Sequence, residues 1–79
     1  MAEVDFVMNI SGIIVPIEVK AGAVGRLKSL RVLMEERDLP LGVKISSAPL
    51  SLTRQVLNIP FYLLRELPRL VKDCLALVG

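Results

Sequence analysis

The stretch EVDFVMNISGIIVPIEVKAG, Glu3 to Gly22, decides the fold. Two runs of β-forming residues flank Asn9-Ile10-Ser11-Gly12, whose Asn, Ser and Gly supply turn chemistry. Val4-Asp5-Phe6-Val7-Met8 reads as one strand and Ile13 to Lys20 as the next, which predicts an antiparallel hairpin. Pro16 has no backbone donor, so it is expected where the ladder needs none. Side chains two apart on a strand share a face. That groups Glu3, Asp5 and Val7 on the first strand, and Ile14, Pro16, Glu18 and Lys20 on the second. With the turn near Asn9 to Gly12, Asp5 falls roughly across from Ile17 to Glu18. Asp5, Glu18 and Lys20 are therefore expected to converge at the open end of the hairpin.

Such a constellation has a definite chemistry. Two carboxylates backed by a lysine suit a hard divalent cation such as Mg²⁺. The cation would polarise a phosphodiester and lower the pKa of a bound water, while the lysine holds the water or the developing charge. An acid and a lysine two apart on an exposed strand also describe an ordinary solvated face, and Glu-x-Lys alone does not separate the two.

The rest of the chain predicts alternating elements. Val24 to about Arg37 reads as a helix, with Val24, Leu27, Leu30, Leu33 and Met34 at helical spacing. Its basic residues Arg26, Lys28 and Arg31 come first and Glu35 and Glu36 last, the reverse of what the helix dipole favours. That order makes sense if the basic side chains meet an anionic ligand. Leu39-Pro40 stops the helix, Leu41 to Ser46 is a third strand, and a polar loop with Pro49 follows. Gln55 to Ile59 adds a short edge strand. Pro60 opens a last helix towards Val78, in which Pro68 produces a kink or a second start. Leu64, Leu67, Val71, Cys74 and Val78 repeat as an a/d stripe that serves either a core against the sheet or a dimer seam.

Totals narrow the function classes. At 79 residues the chain is one domain that buries only roughly 60% of its unfolded surface. Yet 53% of its residues are apolar, and mean hydropathy is +0.61. The surplus points to an oligomer interface or a partner. Histidine is absent, which removes Ser-His, Cys-His and His-metal chemistry and leaves carboxylates and lysine. Cys74 is the one cysteine, so no internal disulfide forms, consistent with a reducing cytoplasm. No signal-peptide pattern and no apolar run of about 18 residues occurs, so no membrane association is expected. A net charge of +2 is too small to indicate nucleic acid by itself.

Glu3-Val4-Asp5-Phe6-Val7, the turn with Gly12, and Pro16-Ile17-Glu18-Val19-Lys20-Ala21-Gly22 together resemble the D…(D/E)xK motif of the PD-(D/E)XK nuclease superfamily. The closer likeness is to the C-terminal nuclease-like domain of prokaryotic P-loop ATPases. Arg26 to Leu30, Val43 to Ser46 and the tail Leu57-Asn58-Ile59-Pro60-Phe61-Tyr62-Leu63-Leu64 extend it to about Leu67. The resemblance implies an α+β fold: a small mixed sheet, made of the hairpin and one or two further strands, with two helices. Relative to the restriction-endonuclease-like core, Met1 stands almost on the second strand, so the domain is expected to be a truncated one, and no P-loop is present.

By the same resemblance Asp5 and Glu18 are metal ligands, the Val19 carbonyl is another, and Lys20 is the catalytic lysine. Lys28 takes the place of a residue that often assists near the phosphate. Arg26, Lys28 and Arg31 form the expected nucleic-acid patch. Truncation would leave a sheet edge and an apolar face uncovered, and a homodimer is expected to cover one of them. Three functions follow: a dimeric non-catalytic accessory module beside an ATPase partner, a Mg²⁺-dependent endonuclease of the junction-resolvase type acting on DNA, or a remnant with no selected role. The low charge and an aromatic content of 4% favour the first.

Overall fold

A computed structural model describes residues 4–20 and 28–78. The elements run β1 (Phe6–Ile10), β2 (Ile13–Val19), α1 (Lys28–Glu36), β3 (Gly42–Ser46), β4 (Ser51–Thr53), β5 (Val56–Pro60), a 3-10 segment (Phe61–Glu66) and α2 (Leu67–Val78). They form one five-stranded mixed sheet in the order β1-β2-β3-β5-β4, the small α+β fold anticipated above. β1 and β2 are antiparallel, β2, β3 and β5 are parallel, and β4 returns antiparallel on β5.

The hairpin turns on Ser11 and Gly12 alone, at φ 53° and 84°. Positive φ at both positions is the primed turn that matches strand twist, and the Asn9 side chain accepts the Gly12 N–H at 2.9 Å. β1 therefore starts and ends two residues later than Val4–Met8. Counting from this turn, Val7 and Pro16 form a non-hydrogen-bonded pair, and the parallel ladder to β3 begins only at Ile17. Pro16 thus sits where its missing donor leaves nothing unpaired.

The sheet has two unlike faces. One packs on α2: Val15, Ile17, Val43, Ile45, Leu57 and Ile59 meet Leu67, Val71, Cys74 and Leu75. The stripe on α2 is thus spent on the chain's own core, which is the first of its two readings. Leu64 lies outside it, exposed in the 3-10 segment. Pro68 starts a second helix rather than kinking the first, because the preceding turn is 3-10.

The other face carries α1 over a smaller cluster of Leu30, Met34 and Val56. A Cβ on Gly42 would lie 2.6 Å from Met34 Sδ and 3.1 Å from Leu30 Cδ1, so glycine there is what lets the helix sit down on β3. α1 ends in a Schellman arrangement: Asp38 adopts φ 51°, Leu39 N–H donates to Met34 O at 2.8 Å, and Asp38 N–H donates to Glu35 O at 3.3 Å. The expected helix start at Val24 lies outside the described residues.

One placement is corrected. The Gln55–Ile59 segment was expected as an edge strand, but β5 is interior and buried along its whole length. The edge is β4, from the stretch read as a polar loop. Arg54 and Gln55, at φ 50° and 65°, make a second primed turn without the usual glycine, and this turn folds Thr53 back onto Val56.

Candidate functional site: the open end of the hairpin

Glu18 and Lys20 are carried by the last residues of β2 and the one after it, and their side chains form an ion pair, Nζ to Oε1 3.2 Å. Glu18 is nine-tenths buried and its other oxygen, Oε2, is buried with no hydrogen-bond partner among the described residues. An orphaned carboxylate oxygen of this kind is costly unless a cation or donor meets it.

Asp5 reaches the same end of β2 by a different route. It stands in a bend one residue before β1, and its Oδ2 accepts the Val19 N–H at 2.8 Å. In the parallel ladder, Lys20 N–H donates to Ile45 O at 2.8 Å, so Lys20 faces β3 and the Val19 peptide groups face the β1 side. A regular hairpin would offer Val19 the carbonyl of residue 4; the chain leaves the ladder and supplies the Asp5 carboxylate instead. Asp5 therefore caps a strand end near the plane of the sheet, while Glu18 and Lys20 project from its α1 face. The three residues come to one end of β2 around a shared backbone segment.

Two protein carboxylates with the remaining positions left to water or phosphate are a donor set that Mg²⁺ accepts. Asp5 Oδ1 and Glu18 Oε2 are the oxygens not assigned to an internal partner among the described residues. No cluster of three or more acidic, Cys or His side chains occurs among the described residues. By type these donors are ones Mg²⁺ can take, and among the described residues they do not form a dedicated all-protein cage.

Of the three basic residues expected on the helix, Arg26 and the side chain of Lys28 lie outside what is described. Arg31 is half-buried, and it lines a cavity of about 220 Å³ together with Lys44, Ser51, Thr53 and Asn58. The sheet register aligns Glu18, Lys44, Asn58 and Ser51 in a row across four strands on the α1 face. Asn58 is fixed within this row. Its Oδ1 accepts Ser46 Oγ–H at 2.6 Å, and its Nδ2 donates to Ala48 O at 2.8 Å and Pro49 O at 3.0 Å. Lys44 and Asn58 received no role from the sequence. Their only signal was a polar residue at alternate positions in otherwise apolar strands.

The family model for a domain of unknown function, DUF4143, matches residues 1–62. The chain belongs to that family. The DUF4143 match takes in the hairpin, α1 and all five strands, and ends inside the 3-10 segment, so the site described above lies wholly within it. No curated protein and no solved structure matches this DUF4143 chain. No helix among the described residues is long and apolar enough to cross a membrane.

Proposed function

We propose that this DUF4143 chain is a PD-(D/E)XK-like accessory module: a cytoplasmic, dimeric, nuclease-derived domain that works beside an ATPase without cleaving DNA itself. One observation carries this reading. Two of the three groups that catalysis would need are spent inside the hairpin, Asp5 on the Val19 N–H and Lys20 on Glu18. A carboxylate that closes a strand and an ammonium that neutralises a buried acid serve the fold first.

Dimerisation is supported by the outer strand. Among the described residues β1 is a sheet edge, and Phe6 and Val7 on it are 61% and 56% exposed. An apolar strand with an unpaired rim invites an antiparallel copy of itself. Sedimentation velocity of the wild type should show a dimer that Val7→Lys converts to monomer. A wild type that stays monomeric across a wide concentration range contradicts the dimer.

The endonuclease alternative draws support from a different observation, the Glu18 Oε2 at the hairpin's open end, which has no partner among the described residues. In that reading Asp5, Glu18 and the Val19 carbonyl would hold Mg²⁺, which supplies an activated water and charge neutralisation at the phosphate. Titration of Mg²⁺ or Mn²⁺ into wild type and Asp5→Asn, with plasmid and branched DNA present, separates the two. The module reading expects intact DNA throughout. Metal-dependent cleavage that disappears in Asp5→Asn overturns it.

A further inference from the structure

We propose that the cavity between α1 and β4 is a binding site for a phosphoryl group, held by Arg31 and Lys44 with the Ser51 and Thr53 hydroxyls. It does not rest on the nuclease-like reading, since it uses neither Asp5 nor Glu18 and needs no metal.

The charges in the cavity carry the argument. Arg31 and Lys44 enter it from a helix and a central strand, and among the described residues no acidic one lines it. Neither cation makes an ion pair among the described residues, although Glu18 is Lys44's neighbour in the sheet. Glu18 pairs with Lys20 instead, which leaves the Lys44 ammonium to the cavity. A second concavity close by makes the contrast. Arg31 and Arg54 line that one too, but Glu35 and Asp38 line it with them, so its charges cancel. Arg31 is shared between the two, so the charge that belongs to the cavity between α1 and β4 alone is that of Lys44, which meets no acid among its described lining residues.

The other walls fix the kind of anion. Ser51 and Thr53, on the same strand two apart, present hydroxyls from one side. Asn58 contributes no donor, because both amide hydrogens are taken by the Ala48 and Pro49 carbonyls. Its part is to hold the loop that forms the rim. Among the described residues no aromatic one lines the cavity, so they offer nothing for a base to stack on. Guanidinium, ammonium and hydroxyl donors suit a tetrahedral oxyanion, and the open groove of about 220 Å³, with Ala48 and Val56 on its apolar wall, has room for what that group is attached to. The phosphoryl group is recognised, and what it is attached to is not.

The test is an amide-shift titration of the ¹⁵N-labelled full chain, in EDTA and at constant ionic strength set with chloride. The probes are inorganic phosphate, a nucleoside monophosphate and a dinucleoside phosphodiester. Saturable one-site shifts at Lys44, Ser51 and Thr53 are expected. Arg31→Gln and Lys44→Gln should each weaken binding about tenfold, while Lys72→Gln on the far helix leaves it unchanged. Tighter binding of the monoester assigns the source to a nucleotide or free phosphate, and equal binding of the diester to a nucleic-acid backbone; either sustains the site. Thr53→Val, on an exposed edge strand, keeps the test open if Lys44→Gln does not fold. Shifts that fail to saturate, that chloride reproduces, or that survive Arg31→Gln together with Lys44→Gln or Thr53→Val overturn it. Because EDTA is present throughout, failure here is separate from failure of the acidic hairpin to bind metal.

Discussion

The two faces of the sheet are built to different ends. The face under α2 is apolar from Val15 to Ile59 and is closed by a helix whose buried stripe matches it. The face under α1 has three buried apolar residues in its cluster and, beside them, the polar row Glu18, Lys44, Asn58 and Ser51. Burial of apolar surface stabilises in proportion to area, whereas buried polar groups cost free energy unless each finds a partner. Stability therefore belongs mainly to the first face. Among the described residues the second keeps an orphaned carboxylate oxygen and two unpaired cations, features that stability alone would not select.

The sharpest way to break this contrast is a cavity in the α2 face. Ile59 is fully buried there, and Ile59→Ala should cost about 3 kcal/mol. A 79-residue domain has about 4 to 12 kcal/mol to lose, so urea unfolding should show a quarter or more of the stability gone. A loss under about 1 kcal/mol would mean that the two faces share the burden. Asn58→Ala comes next, at about 2 kcal/mol, because it strands the Ala48 and Pro49 carbonyls and the Ser46 hydroxyl. The same variant should raise hydrogen exchange in residues 47–50 more than in α2.

Glu18→Gln should run the other way. It removes a buried charge whose second oxygen has no partner, at the cost of one ion pair to a partly exposed lysine. The unfolding free energy from urea titration should hold or rise, by about 1 kcal/mol at most. A drop comparable to Ile59→Ala would show that the acid belongs to the fold. Smallest is the effect of Cys74. Desolvation by burial, then the nearby Asp73 charge, pushes its thiol pKa up. A raised folded-state pKa gives stability that is complete below the ordinary thiol pKa and fades as pH rises through the folded value. Cys74→Ala should flatten that alkaline decline, and wild-type alkylation at neutral pH should be slow until the chain unfolds.

Much of the α2 face was legible in the sequence, since Val15, Ile17, Val43 and Ile45 alternate and the α2 stripe is periodic. The hairpin was legible from Ser11-Gly12. β4 was not: three residues between Pro49 and an Arg54-Gln55 turn give neither a periodic run nor a glycine signal. Missing β4 made β5 look like an edge. The acid-lysine pairing on β2 follows from i, i+2 spacing, whereas the place of Lys44 depends on a parallel register that no local pattern encodes. Asp5 was placed at the right end of β2. That its carboxylate would serve Val19's backbone could not be read, because it depends on the chain leaving the ladder at that residue.

Hydrogen exchange at the Val19 amide tests most directly whether the hairpin itself uses its acid. The amide should be protected in wild type and in Asp5→Asn, whose side-chain oxygen still accepts, and should lose protection in Asp5→Ala while Lys20 N–H keeps its own. A Val19 amide that exchanges at the unfolded rate in wild type would mean that Asp5 is free of the strand, and the structural role assigned to it would be wrong.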